Sequence, residues 1–404
     1  MKYSLSPKTI LIGSGLVVYL LTLGLSFIVF SFFRPGLSTT KITTSDNKTM
    51  TAQRKYADLP KVVQCPINGA MYSKPEEELW LKRRPVGIMV ENSKVARPQS
   101  GLSFADVVYE AVAEGGITRF MAVFYCQDPD VVGPVRSART YYLDWISEYG
   151  NSPLYAHVGG ANTPGPADAL SQIGMYGWEA YNDLNQFSIG FPTFWRDYDR
   201  LGQDTPTEHT VYLSTQKVWD FAAKKRELTN VEIDSLTGKT VAWDEGFIKW
   251  TFKDDLTLAE RPLSLNAEFA LSRTGASYKD DYIVKWQYDH DSNSFLRFNG
   301  GTPFLDMNTG QQILAKNVAI LYMSMSIADD GYDEDGHGTH TLYGTKGSGK
   351  AKFLIDGKVI DGSWSKKTRL DRTRFFDTKG VEMKLNRGAI WIEILPIGET
   401  VTIS

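Results

Sequence analysis

The sequence predicts a mixed α+β and α/β protein: an N-terminal membrane helix, then an α/β domain, then a mainly antiparallel β domain. Three observations lead to this fold class. Residues 10–33 carry no charge, residues 61–228 alternate strand and helix signals, and residues 281–404 hold short strands separated by turns. Alternation of strands and helices is typical of α/β domains, whereas successive strands and turns are typical of antiparallel sheets.

The apolar run ILIGSGLVVYLLTLGLSFIVFSFF at residues 10–33 predicts a membrane-spanning helix. At about 1.5 Å per residue it would reach about 36 Å, enough to cross a hydrocarbon core of ~30 Å. The run is longer than the apolar segment of a cleaved signal peptide, so we expect it to remain as an anchor. Basic residues flank both ends, and the simplest arrangement places residues 1–9 in the cytoplasm. The protein is then expected in the cell membrane, single-pass, with its soluble domains on the extracytoplasmic side.

The residues that follow the apolar run predict a flexible linker and a disulfide. Residues 34–60 include the polar stretch STTKITTSDNKTMT, which has few large apolar side chains and is typical of a linker. The two cysteines, Cys65 and Cys126, lie beyond it. An even pair in an exported chain predicts a disulfide, the alternative being two unpaired buried thiols.

The first globular part, residues 61–228, is predicted to be the α/β domain. Its predicted elements are strands at RPVGIMVEN (84–92), ITRFMAVFYC (117–126) and PLYAHVGG (153–160), helices at ADVVYEAVAEGG (105–116) and GPVRSARTYYLDWISEYG (133–150), and a strand followed by a helix in TEHTVYLSTQKVWDFAAKK (207–225). The glycine pair after Glu114 would end the first helix, and Pro134 suits the first turn of the second.

The rest of the chain changes character. Residues 229–280 are less regular and are expected to connect the two halves. From residue 281 the segments YIVKWQYD, SFLRFNG, NVAILYMSMSI, KFLIDGKVIDGSW, RTRFFDTKGVEMKL and AIWIEILPIG predict strands. Asp356 and Gly357 stand between two apolar runs, which predicts a tight hairpin turn.

Composition and failed motifs exclude several classes of function. With 44 basic and 47 acidic residues the chain offers no reason to expect nucleic acid. GTKGSGK at residues 344–350 matches most of a nucleotide-binding loop, but Ala351 replaces the required Ser or Thr and strand-like residues follow. We therefore expect no cofactor.

The acidic segment DDGYDEDGHGTH at residues 329–340 resembles a calcium loop only in part. Gly331 and Leu342 would occupy positions where carboxylates are needed, so it is not an EF-hand. His337 and His340 leave a weak metal pattern without a defined ligand set, and a solvated acidic loop is the preferred interpretation. No metal is expected.

The clearest candidate binding site is GPVRSAR at residues 133–139. If a helix begins at Pro134, Arg136 and Arg139 lie on one face near its N-terminus, with Ser137 between them. Two guanidinium groups and free backbone N–H groups would hold a phosphate or carboxylate, and Arg119 could join them. The alternative is a structural network in which the arginines pair with Glu110 or Glu114.

A second candidate is the sequence His157-Val-Gly159-Gly160, where a histidine leaves a strand into a glycine turn. An imidazole there could bind a ligand or transfer protons near neutral pH. The alternative is a buried histidine that bonds to neighbouring backbone. Glu114, Glu208 and His209 are weaker catalytic candidates, because paired carboxylates suit glycoside hydrolysis only at a suitable separation.

Long segments of the chain resemble a known family. RRPVGIMVENSKVARPQSGLSFADVVYEAVAEGGITRFMAVFYC (83–126), VGPVRSARTYYLDW (132–145) and YAHVGGANTPGPADAL (155–170) resemble the YerB-like family of bacterial envelope lipoproteins. NVAILYMSMSI, GTKGSGKA and RGAIWIEILP are similar to the C-terminal domain of that family. The resemblance implies a two-domain extracytoplasmic protein of a Gram-positive-type bacterium, and it supplies no catalytic residues because both domains are of unknown function. Family members often carry a lipidated cysteine after the signal, whereas the first cysteine here is Cys65, so a helix anchor is expected instead.

These observations together predict a membrane-anchored cell-envelope protein that binds an anionic wall component or an envelope protein. The expected partners are the membrane, through the N-terminal helix, and a cell-wall polymer or wall-synthesis proteins. One alternative is a hydrolase or transferase acting on wall glycan, with Glu114 or Glu208 as acid–base group. The other is a scaffold for wall-synthesis proteins, in which the arginines only brace the fold.

Overall fold

The structure, a computed structural model, describes residue 56 and residues 58–271, 280–332 and 339–404. The predicted cytoplasmic tail, the predicted membrane helix at 10–33 and most of the predicted linker lie outside the described residues. Within the described ranges, no helix combines the length and the hydrophobicity needed to cross a membrane.

The described residues form a mixed structure dominated by strands. The strands of the first half are β1 Val63–Gln64, β2 Met71–Tyr72, β3 Val86–Glu91, β4 Val107–Val112, β5 Thr118–Phe124, β6 Val131–Val132, β7 Leu154–His157, β8 Asp183–Asn185, β9 Phe194–Arg196, β10 Val211–Ser214, β11 Val231–Ile233, β12 Thr240–Ala242, β13 Thr251–Lys253 and β14 Asn266–Ala270. Those of the second half are β15 Ile283–Asp289, β16 Ser294–Asn299, β17 Thr302–Pro303, β18 Leu314–Ala315, β19 Asn317–Met323, β20 Met325–Ile327, β21 Thr341–Tyr343, β22 Gly347–Ile355, β23 Lys358–Lys366, β24 Arg374–Asp377, β25 Lys384–Asn386, β26 Ile390–Pro396 and β27 Thr402–Ile403.

Helices are few and short in the same ranges. The α-helices are α1 Lys74–Glu77, α2 Thr140–Ile146, α3 Ala169–Met175, α4 Gln186–Ile189 and α5 Thr215–Arg226, and the 3₁₀ turns are Lys94–Ala96, Leu102–Phe104, Thr207–His209, Leu258–Glu260 and Asp280–Tyr282. The mixed composition agrees with the predicted fold class. All five α-helices lie in the first half, and α2 and α5 overlap helices predicted from the sequence. The residues described after 281 contain strands without any α-helix.

A ten-stranded sheet organises the molecule, in the order β24-β23-β22-β19-β26-β4-β5-β3-β7-β8. Five strands of the C-terminal half and five of the N-terminal half meet at the parallel pair β26–β4, whose register runs from Ile390 opposite Val107 to Glu393 opposite Glu110. Both halves therefore share one sheet. The predicted boundaries at 61–228, 229–280 and 281–404 remain predictions.

Side chains alternate between the two faces of this sheet, as the two-residue period of a strand requires. Val86, Ile88 and Val90 of β3 belong to one buried cluster, and Met89 belongs to the other. The cluster of Met89 also contains Tyr141 and Ile173 from helices α2 and α3, so those helices cover that face. Helices thus form one outer layer of the molecule.

A second sheet covers the opposite face. Its main order is β17-β16-β15-β14-β27, and β18 also pairs with β16. Trp286 of β15 lies with its ring 5.3 Å from that of Trp391 on β26, in an edge-to-face arrangement. Phe120 of β5 lies 5.5 Å from Trp391 in the same way. The large aromatic fraction of the sequence is used here to fill the space between two sheets.

Two predicted helices are corrected by the structure. The segment 105–116 is strand β4, not a helix, and Gly115 and Gly116 form the hairpin turn to β5 with φ of 59° and 77°. A strand buried on both faces is apolar at nearly every position, so Val107, Val108, Ala111 and Val112 fit helical spacing by coincidence. All six residues of β4 are buried.

The helix predicted to begin at Pro134 starts later. Helix α2 spans Thr140–Ile146, and its N-cap residue is Arg139, whose backbone is extended at φ −139°. Residues 133–139 instead form an extended segment, with Arg136 N–H bonded to Met89 O at 3.0 Å and Glu91 N–H bonded to Pro134 O at 2.9 Å. Hydrogen bonds to the end of strand β3 outweigh the local helix-start signal here.

Several other predictions agree with the structure. Asp356 and Gly357 form the turn between β22 and β23, with φ of 52° and 67°, as expected for a two-residue hairpin. The rejected nucleotide loop runs into strand β22, which begins at Gly347, so no helix follows the glycines. Cys65 and Cys126 are joined in a disulfide.

Candidate functional site

A pocket of about 390 Å³ opens beside the ends of strands β3 and β5. Its lining is rich in charged side chains. The lining residues are Glu91, Ser93, Ala113, Glu114, Ile117, Arg119, Arg136, Ser137, Arg139, Gly160, Ala161, Asn162, His209, Tyr332 and His340. We call this the arginine pocket, after its three arginines.

The backbone positions these groups through three neighbouring segments. Glu91 ends strand β3 and stands opposite Arg119 of strand β5 in the antiparallel register. Glu114 lies in the turn between β4 and β5. The extended segment 133–139 bonds to β3 on one side and to residues 158–161 on the other, since Val158 N–H donates to Arg136 O and Ala138 N–H donates to Gly159 O. Arg136 and Arg139 therefore reach the pocket from a segment fixed along both edges.

Glu114 neutralises two of the arginines. Its Oε2 lies 2.8 Å from Arg119 Nη2, and its Oε1 accepts a hydrogen bond from Arg139 Nε. Burial alone would raise the pKa of Glu114, but the charges of Arg119 and Arg139 and the bond from Arg139 lower it to about 2. Glu114 is therefore an ionised carboxylate at neutral pH.

Glu91 pairs with the third arginine. Its Oε2 lies 2.6 Å from Arg136 Nε and 3.2 Å from His209 Nδ1. Burial opposes ionisation of Glu91, but the bond from His209 and the charge of Arg136 outweigh it and lower the pKa. Arg136 is the most accessible of the three arginines, with 27% of its side chain exposed. Among the described residues, no hydrogen bond reaches its Nη1 or Nη2.

A buried histidine completes the lining. His340 Nδ1 lies 2.7 Å from Asp330 Oδ2, and both side chains are nearly inaccessible. The ring of Tyr332 stacks on the imidazole with centroids 3.9 Å apart and planes 13° apart. In the described part of the chain nothing hydrogen-bonds to His340 Nε2.

Comparison with known proteins gives the family. Two family profiles match the chain: the N-terminal domain of "Protein of unknown function (DUF3048)" over residues 72–229 and its C-terminal domain over residues 274–392. The chain belongs to the DUF3048 family. Among curated proteins, this DUF3048 chain is 28% identical over 359 residues to "Putative lipoprotein YerB" of Bacillus subtilis (strain 168), covering 88% of this chain and 93% of that protein.

A solved structure gives the same result. The crystal structure of YerB protein from Bacillus subtilis matches with a TM-score of 0.65 and 26% sequence identity. The match covers 85% of this chain and all of that chain. The resemblance noted in the sequence is thereby confirmed, and the DUF3048 domains bring no assigned reaction with them.

The structure brings most of the predicted site residues of this DUF3048 chain together. Those that line the arginine pocket are Glu114, Arg119, Arg136, Ser137, Arg139, Gly160 and His209. Glu208 does not line it, and 54% of its side chain is exposed. Gly159 lies just outside, where its carbonyl accepts hydrogen bonds from Ala138 N–H and from the His157 ring.

His157 is placed away from the pocket. It is fully buried, with Nδ1 2.6 Å from Gly159 O and Nε2 2.6 Å from Asp183 Oδ1. Both ring nitrogens are therefore occupied by protein groups. This arrangement corresponds to the structural alternative, in which the histidine holds the turn after strand β7.

Several pocket residues were not candidates for this site from the sequence, among them Glu91, Tyr332 and His340. Glu91 carried a usable signal, since a charged residue directly ends a six-residue buried strand. His340 had been considered only for metal binding, and Tyr332 not at all. No local pattern could have placed Tyr332 and His340, because they reach the pocket from the C-terminal half of the chain.

A metal site finds no support in the ranges that are described. The single cluster with suitably close ligand atoms is Cys65, Asp106 and Cys126. Its two sulfur atoms are bonded to each other, so they offer no thiolate for a cation.

Proposed function

We propose that this DUF3048 protein is an extracytoplasmic cell-envelope protein that binds an anionic wall component, or an anionic group of an envelope protein, in the arginine pocket. The location is supported by the predicted anchor at residues 10–33, by the disulfide, and by the name of the Bacillus subtilis relative, a lipoprotein. The proposal that the anchor is a single membrane-spanning helix rests on the apolar run alone.

One observation carries the binding proposal: the terminal nitrogens of Arg136. They have no hydrogen-bond partner among the described residues, and the side chain is partly exposed in the pocket. A guanidinium group presents paired N–H donors that match the two oxygens of a carboxylate or phosphate. Glu91 contacts Nε of Arg136, and this contact fixes the orientation of the guanidinium group. Its Nη1 and Nη2 atoms remain available to a ligand.

The charge of the lining supports the same ligand class. Three arginines and two glutamates line the pocket, and the carboxylate of Asp330 adjoins it through His340. Glu114 serves two arginines at once and cannot neutralise both fully. Because these groups are largely buried, their field is screened by water less than that of surface charges.

The hydrolase alternative receives less support. A glycosidase needs one carboxyl group that can donate a proton, and so one with a raised pKa. The pKa of Glu114 is lowered to about 2 and that of Glu91 is also lowered. Glu208 is exposed outside the pocket. None of the three suits the acid role.

The scaffold alternative fits two arginines but not the third. It requires arginines that are buried, paired and remote from any pocket. Arg119 and Arg139 are buried and paired with Glu114, yet both line the pocket. Arg136 is partly exposed, and its two terminal nitrogens have no partner within the described ranges, which a purely bracing role does not explain.

Isothermal titration calorimetry on the full-length protein in detergent micelles tests the proposal. The probes are inorganic phosphate, glycerol 3-phosphate and acetate, each titrated at low ionic strength. The variant Arg136→Gln should weaken binding of any bound probe at least tenfold, since it removes a charged bidentate donor. The matched control is Arg374→Gln. Arg374 lies on strand β24, is exposed and pairs with Glu382. Equal affinity in wild type and Arg136→Gln, or no binding of any probe, would refute it.

A further inference from the structure

Among the described residues, Nε2 of His340 is a further pocket atom without a hydrogen-bond partner, while Nδ1 of the same ring bonds to Asp330. We propose that the ligand carries a hydroxyl group next to its oxyanion, and that His340 Nε2 accepts a hydrogen bond from that hydroxyl. This inference rests on the proposed function, because it assumes that the pocket binds an oxyanion. It narrows the ligand to one chemical class: hydroxylated carboxylates or phosphates, such as 2-hydroxy acids and polyol phosphates.

The hydrogen bond to Asp330 decides which ring nitrogen can accept. An ionised carboxylate can only accept, so the hydrogen of the neutral imidazole lies on Nδ1, 2.7 Å from Asp330 Oδ2. The lone pair is then on Nε2. Asp330 is itself positioned through Oδ1, which accepts a bond from Tyr332 N–H at 3.2 Å. In this tautomer, Nε2 of His340 can accept a hydrogen bond.

Stacking fixes the direction of that lone pair. The Tyr332 ring lies nearly parallel to the imidazole at 3.9 Å, and only 1% of His340 is exposed. A side chain held in this way cannot swing out to find water. His340 lines the pocket, so a hydroxyl-bearing ligand there can supply the donor that Nε2 accepts.

The neighbouring arginine side chains do not supply the hydrogen-bond donor for His340 Nε2. Arg119 Nη1 and Nη2 donate to Ser137 O and Glu114, and Arg139 Nε and Nη1 donate to Glu114 and Ala138 O. Arg119 Nε is buried and has no hydrogen-bond partner among the described residues. In the described ranges none of them donates to His340. A simple carboxylate or phosphate without a hydroxyl would satisfy Arg136 and leave Nε2 without a partner.

The competing possibility is that the imidazole is protonated on both nitrogens and adds another positive charge. The charged groups that face it are Asp330, Glu114, Arg119 and Arg139. In that case an oxyanion would gain from His340 whether or not it carries a hydroxyl. The two possibilities therefore differ in ligand preference.

Matched ligand pairs test the inference on the full-length protein by calorimetry. The pairs are lactate against propanoate and glycerol 3-phosphate against propyl phosphate, whose members differ in hydroxyl groups but share the anionic group. Wild type should bind the hydroxylated member about tenfold more tightly, as for one added hydrogen bond. Tighter binding of the lactate and propanoate pair would indicate a carboxylate ligand, and tighter binding of the two phosphates would indicate a phosphate ligand.

The variant for this test is the double substitution His340→Phe with Asp330→Asn. Phenylalanine keeps the ring against Tyr332, and asparagine avoids leaving a buried carboxylate without its partner. In the variant the ratio of affinities within each pair should fall from about ten to about one, whatever the absolute affinity for the anionic group. A preference that persists in the variant would overturn the inference.

The outcomes separate this inference from the proposed function. Equal binding of both members of each pair by wild type overturns the role of His340 while leaving anion binding intact, and it needs no variant. Binding that is unaffected by Arg136→Gln, or no binding of any of the four compounds, overturns both statements.

Discussion

Glu110 and Glu393 stand directly opposite each other in the parallel pair β4–β26, at the centre of the ten-stranded sheet. Arg297, from the covering sheet, lies between them with Nη2 2.7 Å from Glu110 Oε2 and Nη1 2.5 Å from Glu393 Oε1. All three side chains are fully buried. Two carboxylates thus share a single guanidinium group, in a place where water cannot screen the repulsion between them.

We predict that Glu393→Gln changes how stability depends on pH. Burial, together with repulsion from Glu110, outweighs the attraction of Arg297 and raises the pKa of Glu393 to about 8. In the unfolded chain this pKa is about 4.3. Between these values the folded state binds more protons, so the contribution of Glu393 to stability falls as pH rises from about 4.3 to 8. Glutamine cannot ionise.

Urea denaturation at pH 5, 6.5 and 8 measures this effect. The free energy of unfolding of Glu393→Gln, relative to wild type, should increase steadily from pH 5 to pH 8. Other titrating groups are common to both proteins and cancel in the difference. A difference that is constant over this range would show that Glu393 is ionised in the folded protein throughout.

We predict that Glu114→Gln destabilises the protein by about 3 kcal/mol at pH 7, because two buried arginines lose their shared carboxylate. The pKa of Glu114 is lowered to about 2, so its stabilisation is present above about pH 4.3 and is lost as pH falls toward 2. Wild type and variant should therefore converge in acid. The control Glu382→Gln breaks an exposed pair with Arg374 and should cost less than about 1 kcal/mol. Similar losses in both variants, by urea denaturation, would contradict the prediction.

Removing the disulfide should destabilise the fold by about 4 kcal/mol, since the bond closes a long loop in the unfolded chain. The sequence separation of Cys65 and Cys126 is 61 residues, and both residues are buried. The test compares Cys65→Ala/Cys126→Ala with wild type in urea, with and without a reducing agent. Reductant should lower the stability of wild type to that of the variant and leave the variant unchanged. An effect of reductant on the variant would point to another cause.

Three glycine substitutions should have graded effects. A Cβ at Gly362 would lie 2.1 Å from Phe376 O on the neighbouring strand, so Gly362→Ala should be strongly destabilising. At Gly87 the nearest atom, at 2.6 Å, is Ile146 Cδ1, the end of a flexible side chain, and the cost should be smaller. Gly174, in helix α3, has no atom within 3.8 Å, so Gly174→Ala should be neutral or stabilising by up to about 1 kcal/mol. Midpoints of urea denaturation in any other order would contradict this ranking.

The sequence predicted strands and helices best where the local pattern favoured one structure and no tertiary contact favoured another. The helix in 215–226 and the hairpin at Asp356 and Gly357 were of this kind. Strand β4 was predicted as a helix because the burial of both its faces removes the alternation that identifies a strand. The segment 133–139 was predicted as a helix start because its hydrogen bonds go to β3 and to residues 158–161, which local sequence does not specify.

The sequence predicted the kind of charged groups in the site better than it predicted the full set of residues that line it. The arginines and Glu114 lie within one stretch of the N-terminal half, so their residue types indicated an anion site or a salt-bridge network. The salt bridges are present in the structure, and the anion site stays a prediction. Glu91 and His340 required the tertiary structure. His157 carried the same sequence signal as a functional histidine, but its partners Gly159 O and Asp183 satisfy both ring nitrogens.

The pair β4–β26 also constrains the order in which the protein can be completed. Val107–Glu110 must wait for Ile390–Glu393, near the end of the chain, before its outer edge gains a partner. Ribosomes add about 5–20 residues per second, so this edge remains open for on the order of tens of seconds in each nascent molecule. An unpaired apolar edge is a template for association with other chains. A stop codon anywhere before residue 390 would leave that edge open permanently, so truncated products should be captured by chaperones or degraded rather than accumulate as half-proteins.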